Sequence, residues 1–352
     1  MALNHLVTSD APGWDAIDAA LDRLYPGVEP KHLATIVKWR LGGPDPLDGT
    51  SFYPRLDPVP HWHVVTFGMS ELYEKESEDP DESGWGFEFT FRVRRDPAET
   101  EPPVWVANFL QNLARYVFQT GNWFEANHHM DLNGPIALER ETLIRAIAFT
   151  EDPELGTIAT PHGTVQFLQV VGLTLDEYTA TQTWSVREFL ELLAERVPSL
   201  VTDLDRRSIT DDPAVADAVA DGRRRDGSST GSLAVAEFGW RPDGDLIRLT
   251  VGAHIADRVA HTLLGRLPFG RPLVVNGPDS TVVFSSGSYS VGTGEDPEAL
   301  EVVLTDEALD GLIGVLVPVS GVRTVPTAPP LVVEIIRSDI RDHDGNVVTT
   351  IG

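Results

Sequence analysis

The chain has 352 residues, enough for two domains of ordinary size, and its 41% hydrophobic content is that of a soluble globular protein rather than a disordered one. Its 54 acidic against 27 basic residues give a net charge of -27; this repels nucleic-acid phosphate and anionic lipid over roughly 8 Å at physiological salt and favours a basic partner over DNA or membrane, with plain solubility as the alternative. Zero cysteines remove disulfides, thiolate catalysis and Cys-based zinc sites together.

The segment from Met1 to Asp10 has neither a basic n-region nor a long apolar h-region. No run approaches ~18 uninterrupted apolar residues, so a cytoplasmic protein is expected. Trp14, Ile17, Leu21 and Leu24 form a helical stripe that Pro26-Gly27 ends. Leu33 to Trp39 reads as a short strand or helix end, and Gly42-Gly43-Pro44-Asp45-Pro46-Leu47-Asp48-Gly49 then stops regular structure in a dense turn cluster. From His61 to Phe67 the residues alternate, with His61, His63, Val65 and Phe67 on one face and Trp62, Val64 and Thr66 on the other. Phe87, Phe89, Phe91 and Val93 define one face of a second strand, whose other face carries Glu88, Thr90 and Arg92.

After Pro102-Pro103 a helix runs from about Val104 to Phe118, with Val106, Phe109, Leu110, Leu113 and Val117 as its buried stripe and Asn108, Asn112 and Tyr116 flanking it. Thr164 to Val171 is a buried strand, and Ser185 to Val197 a helix with Ser185 and Glu188 as a capping box. One compact α+β unit accommodates these elements. Asp212-Pro213 opens an Ala-rich helix that runs out in Arg223-Arg224-Arg225-Asp226-Gly227. The boundary falls there, giving domains 1–227 and 228–352; the arginine triplet is a solvated linker face or a docking patch.

The second unit begins with an apolar run from Leu233 to Trp240, turns at Pro242-Asp243-Gly244 and continues as a strand through Val251. A helix from about Ala253 to Arg266 follows, then strands at Pro272–Val275, Thr281–Ser285 and Glu301–Leu304 around a glycine-serine loop from Gly287 to Gly294. Thr305 begins a helix with Asp306 and Glu307 in its first turn, Leu331 to Ile336 is a strand, and Asp344-Gly345 marks a hairpin turn.

Motifs for chemistry are sparse: there is no G-x-S-x-G, no Walker lysine and no dinucleotide fingerprint. Asp342-His343-Asp344-Gly345-Asn346 fails as a calcium loop, since Ile340 sits at the first ligand position and the chain ends before the required glutamate. Carboxylates are too numerous for their proximity in sequence to mark a catalytic pair. The histidines leave two readings open: His61 and His63 join His128, His129 and Asp131 in a metal site, or they are satisfied core and edge histidines beside Val65 and Phe67.

The turn string from Gly42 to Asp48 resembles the N-terminal motif of the Suppressor of fused family. Similar segments continue through His61-Trp62-His63, Thr66 to Tyr73, Gly84 to Arg92, Leu113-Ala114-Arg115-Tyr116-Val117-Phe118-Gln119, Leu155 to Gly163 and Phe167 to Gly172, covering roughly residues 12 to 231. The second unit is similar more weakly, through Leu264-Gly265-Arg266-Leu267, Gly270-Arg271 and Val303 to Glu307. The resemblance implies an α+β protein of two mixed α/β-type domains, each a sheet flanked by helices, hinged around a cleft in which a partner's extended peptide adds as a strand.

In animal members the client is a zinc-finger transcription factor of Hedgehog signalling, touched by a tyrosine that Tyr116 matches and by an aspartate that does not carry over. Asn127 or His128 falls at that place, and the turn at Arg241 to Gly244 replaces the long insertion of the animal C-terminal domain. Tyr116, Asn112, Asn127 and His128 are therefore the candidate partner-binding residues, with no catalytic residue, metal or other cofactor expected. Periodicity alone leaves Tyr116 open between the rim of the core and a groove. Bacterial relatives resemble this compact form, and some are thought to be immunity proteins; an acidic inhibitor of a basic toxin gains association rate from electrostatic steering. The leading expectation is a non-enzymatic binding protein with a protein partner, a toxin or a regulator. A metal-dependent enzyme built on His61, His63, His128 and His129 and an indirect transcriptional scaffold are the competing readings.

Overall fold

The computed structural model describes residues 10–294, 299–341 and 346–352, so the Asp344-Gly345 turn and most of the Met1 to Asp10 segment lie outside the described residues. The chain divides into two units, one of Met1–Thr179 with Val186–Val215 and one of Ala180–Ser185 with Ala216–Gly352.

The first unit contains α1 (Pro12–Leu24), β1 (Lys31–Ala34), β2 (Gly49–Arg55), β3 (His61–Phe67), β4 (Glu82–Arg94), α2 (Val104–Thr120), β5 (His129–Asp131), β6 (Ile144–Glu151), β7 (Thr157–Thr160) and β8 (Gly163–Thr174). Then come α3 (Leu175–Thr183), α4 (Val186–Ala194) and the start of α5 (Pro213–Asp226). The strands form one sheet in the order β1-β2-β3-β4-β8-β6-β5, with β7 also pairing β8. All pairs are antiparallel except β4 with β8.

Both faces of this sheet are covered, and the alternation in β3 and β4 decides which residue enters which core. Trp62 and Val64 join Phe87, Phe89, Phe91 and Val93 under the α2 stripe of Val106, Phe109, Leu110, Leu113 and Val117. Val65 and Phe67 point the other way, into a core with Ile17 and Leu21 of α1, Tyr53 and Phe167. Each fully buried side chain of this size contributes roughly 1.5–3 kcal/mol. The same two-sided cover means that Glu88, Thr90 and Arg92, the polar face of β4, are fully buried as well.

The second unit contains β9 (Ser232–Ala234), β10 (Phe238–Asp243), β11 (Leu246–Gly252), α6 (Ala253–Leu264), β12 (Leu273–Asn276), β13 (Thr281–Ser286), β14 (Ser290–Thr293) and β15 (Ala299–Leu304). It continues with α7 (Asp306–Val315), β16 (Gly321–Val325), β17 (Leu331–Ile336), β18 (Ser338–Arg341) and β19 (Val347–Ile351). Its sheets run β10-β11-β17-β16 and β14-β15-β13-β12-β9, with β18 and β19 as a separate pair. Ile255, Ala256, Val259 and Leu263 of α6 and Leu309 and Leu312 of α7 close a single core with the inward residues of both sheets.

Thr305 caps α7 as its sequence position indicates, its hydroxyl accepting from Ala308 N at 3.2 Å. Asp212 does the same for α5, its carboxylate accepting from Ala214 N at 2.9 Å. The glycine-serine loop reading needs correction: Ser290–Thr293 is an edge strand that pairs β15, because backbone bonding requires no apolar alternation. The arginine triplet likewise belongs to the last turn of α5, where cations suit the helix dipole, rather than to a linker.

Candidate functional site

The turn cluster is a closed loop rather than an extension of a strand. β1 ends at Ala34, and Thr35 then ties the two ends of the loop together: its N–H donates to Asp48 O at 2.9 Å and its hydroxyl to Leu47 O at 2.6 Å. Gly42 takes φ 83, and a Cβ on Gly43 would lie 1.9 Å from Val37 O, so the chain folds back on itself only with glycine there. Inside the loop, Lys38 Nζ lies 2.8 Å from Asp48 Oδ2, contacts the Tyr73 hydroxyl and sits 5.8 Å from the centroid of the Trp14 ring. Burial alone would lower Lys38; its bonds to Asp48 and Tyr73 outweigh that and raise it.

The charged side chain thus turns inward and apolar ones turn outward: Ile36 is 99% and Leu41 71% exposed, with Val37 and Trp39 also exposed. Four exposed large apolar side chains within six residues are more than the scattered single ones of an ordinary surface. The sequence reading of Leu33 to Trp39 as a regular element missed them, although an apolar run broken by Lys38 just before the glycines was the visible signal.

This loop is anchored on α2. Gln111 bridges the backbone of Leu47, accepting from its N–H at 3.0 Å and donating to its carbonyl at 3.4 Å. Arg115 pairs with Asp45 and donates to Asn112 Oδ1 at 2.5 Å. Trp39 meets Phe118 edge-on at 5.3 Å.

One helical turn beyond Asn112, the half-buried Tyr116 stacks on Phe124 with ring centroids 5.6 Å apart, and Phe124 stacks on Phe149 of β6 at 4.3 Å. Tyr116 is the outermost ring of a stack that starts in the core, which fixes its ring and leaves its hydroxyl toward Asn122 Nδ2 at 3.4 Å. Asn127 and His128 bracket the same Phe149: Asn127 N donates to Phe149 O at 2.8 Å, and Phe149 N donates to His128 O at 2.9 Å. Asn127 holds φ 72, a left-handed conformation that asparagine tolerates. His128 Nδ1 accepts from Glu125 N at 3.2 Å.

The structure therefore gathers Asn112, Tyr116, Asn127 and His128 on one region, the C-terminal half of α2 and the loop that leads into β5. β5 closes one end of the sheet and pairs only with β6 among the described residues.

The metal reading does not survive the topology. β3, with His61 and His63, is separated from β5 by β4, β8 and β6, about 19 Å at the usual strand spacing. No group of three or more potential ligands converges among the described residues. His61 Nδ1 instead donates to Val59 O at 2.7 Å, and His129 packs edge-on against Tyr178.

His63 belongs to a buried polar network instead. The β3–β4 register sets it opposite Arg92. Tyr25, at the end of α1, donates to His63 Nδ1 at 2.5 Å, and His63 Nε2 donates to Asp152 Oδ2 at 3.2 Å. Asp152 also accepts from Thr90 Oγ1 at 2.8 Å, from Arg92 Nη1 at 2.7 Å and Nη2 at 3.1 Å, and from the N–H groups of Glu154 and Leu155 at 2.9 and 3.1 Å. Arg92 extends to Gln169 and Glu154, and Glu154 to Arg55. Burial first, and the charge of Arg92 second, push His63 down to about 4, so the ring is neutral with its proton on Nε2. Burial pushes the Tyr25 phenol up to about 12, keeping it a donor. His63, Arg92 and Asp152 are fully buried at the centre of this network, which ties α1 and the turn after β6 to the sheet, while Glu154 and Arg55 close it at the partly exposed rim.

No helix among the described residues is long and apolar enough to cross a membrane. The chain is thus a two-unit protein of mixed α/β type, each unit built of sheets flanked by helices. A family model described as Suppressor of fused protein (SUFU) matches residues 43–207. The Suppressor of fused homologs of Homo sapiens and Mus musculus are each 38% identical over 247 residues, covering 65% of this chain and 50% of theirs. The chain spans about half the length of these curated relatives.

A chain in the crystal structure of the Sufu–Fu complex is 32% identical with a TM-score of 0.57, the match covering 60% of this chain and 98% of that one. Drosophila Suppressor of Fused has the same fold: its crystal structure matches at a TM-score of 0.78 with 22% identity, over 93% of this chain and 98% of that one. This chain belongs to the Suppressor of fused family.

Proposed function

We propose that this chain is a non-enzymatic, protein-binding regulator that takes up an extended segment of a protein partner, and that the partner is a basic toxin neutralised in the manner of an immunity protein. Residues 1–227 and 228–352 serve as its N-terminal and C-terminal Suppressor-of-fused-like domains, in a compact bacterial-type protein that works in the cytoplasm without a cofactor. The carrying observation is the placement of Tyr116, Asn112, Asn127 and His128 beside β5, the last strand in the order of the sheet. An added strand there gains backbone hydrogen bonds along the edge, while Tyr116, held by Phe124, offers a rigid amphipathic anchor.

Two further observations support the reading. The Sufu–Fu complex is a protein–protein complex of a relative. The net charge of -27 favours a basic partner and speeds its encounter. The exposed apolar side chains of the Thr35–Asp48 loop, anchored on the same helix, extend the surface.

Purification of the tagged chain from its native host is expected to recover one stoichiometric protein partner that raised salt releases. Tyr116→Ala is expected to weaken that complex about 30-fold, the effect of losing one well-packed anchor. Repeated failure to recover a partner, or an unchanged affinity in Tyr116→Ala, contradicts the proposal. A toxin-like coding sequence next to the gene supports the immunity role, and a regulatory partner replaces it.

A further inference from the structure

Arg266 and Arg271 converge on backbone carbonyls, unlike the arginines of the second unit that pair with carboxylates, such as Arg225 with Asp226, Arg241 with Glu334 and Arg248 with Asp243. Arg266 Nε donates to Pro272 O at 2.7 Å and its Nη1 to Ser228 O at 2.9 Å, while Arg271 Nη1 reaches the same Ser228 oxygen at 3.4 Å.

The local sequence dictates this convergence. Leu267–Phe269 make one tight turn, Gly270 takes φ 68, and Arg271 N donates back to Arg266 O at 3.1 Å, which sets both side chains at the base of one loop. Ser228 is fixed from the other side, its N–H donating to Gly265 O at 2.6 Å and its hydroxyl to Gln182 O at 2.5 Å.

Arg266 is only 8% exposed, so a full positive charge is buried with neutral carbonyls as its bonded acceptors. Such a charge is unfavourable without a counter-ion. Burial, and secondarily the nearby Arg271, push its guanidinium down from the usual arginine value. Asp226 is near enough to sense Arg271, but its oxygens are engaged by Arg225 and by Trp184 Nε1. The exposed Arg223, Arg224 and Arg225 end α5 just before Ser228. In a chain of net charge -27, this corner is locally cationic.

We propose that Arg266 and Arg271 form an oxyanion site for a phosphate group, Arg266 supplying a fixed, buried guanidinium and the exposed Arg271 the outer half of the clamp. A dianionic phosphate balances two cations and offers enough acceptors for both forks, which one carboxylate does less well. The source is free inorganic phosphate or a phosphorylated serine or threonine of a protein. The site stands independently of the partner reading of the first unit.

The test is a titration of the full chain with inorganic phosphate at constant ionic strength, following the arginine Nε–H signals by NMR. Saturable shifts of the Arg266 and Arg271 signals are expected, with affinity about tenfold weaker in Arg271→Gln and unchanged in Arg323→Gln. A phosphoserine peptide that binds more tightly than inorganic phosphate assigns the site to a phosphorylated protein; weaker binding assigns it to free phosphate. Absence of saturable shifts in the unaltered protein, equal affinity in Arg271→Gln, or equal binding of the unphosphorylated peptide overturns the proposal and leaves Arg266 a strut between two carbonyls.

Discussion

Replacing Asp152 with alanine is expected to lower the unfolding free energy of the first unit by about 3–5 kcal/mol, the usual loss when one member of a buried ion pair is removed. Arg92 and Asp152 are both fully buried, and the carboxylate collects hydrogen bonds from His63, Thr90, Arg92, Glu154 and Leu155. Its removal strands a guanidinium whose remaining partners are Gln169 and the partly exposed Glu154. It also frees the turn after β6 that Asp152 holds. Against a total stability of roughly 5–15 kcal/mol for a domain, that is a large share. The double variant Arg92→Met with Asp152→Leu is expected to be less destabilised than Asp152→Ala alone, because apolar replacement of both partners leaves no buried charge. Urea unfolding of the three proteins checks this. A single variant within about 1 kcal/mol of the parent, or a double variant worse than the single, contradicts it.

A second large effect concerns acid. The unfolded chain protonates His63 near its ordinary value of 6.5, whereas the folded protein resists protonation down to about 4, because burial and then Arg92 disfavour the imidazolium. The stabilisation is therefore complete above about 6.5 and is lost as the pH falls toward 4, amounting to roughly 2 kcal/mol between about pH 7 and about pH 5. His61 and His32 are also lowered, chiefly by burial, and add the same sign.

Asp152 acts at still lower pH. Burial would raise it, but the His63 hydrogen bond and Arg92 hold it below the ordinary carboxylate range, so its contribution disappears as the pH falls below that range. Glu88 opposes the trend: burial raises it against the donors Ser70, Thr66 and Gly68 N, so its own contribution is greatest in acid and is lost as the pH rises. His63→Gln is expected to flatten the stability profile between about pH 7 and about pH 5. An unchanged slope contradicts the assignment to His63.

Much of the fold is legible in the residues, and where it is not, the physical cause is specific. Period 2 in β3 and β4 and period 3.6 in α1 and α2 locate these elements and assign their faces, because each has one face with a single neighbour of fixed chemistry. β6 has no alternation to read, since Ile144 to Phe149 lies between strands in a doubly covered sheet. β2 carries Pro54 and follows the glycine cluster, which masks a strand held by pairing with β3. The polar face of β4 was visible, yet its burial depends on α1 and the turn at Asp152, far away in sequence. At the candidate site, spacing shows only that Tyr116 and Asn112 flank the helix stripe; their candidacy for partner binding comes from the family resemblance. The Phe124–Phe149 stack that holds the tyrosine, and the outward apolar loop, follow from tertiary contacts that spacing does not encode.

The central claim, that a partner segment adds beside β5 against the Tyr116 surface, is tested most directly by hydrogen–deuterium exchange on the recovered complex and on the free chain. Slowed exchange of the backbone amides in His129–Asp131 and in the loop from Phe124 to His128 is expected on binding, lost together with affinity in Tyr116→Ala. A stoichiometric complex that leaves exchange in these segments unchanged while protecting another surface contradicts it.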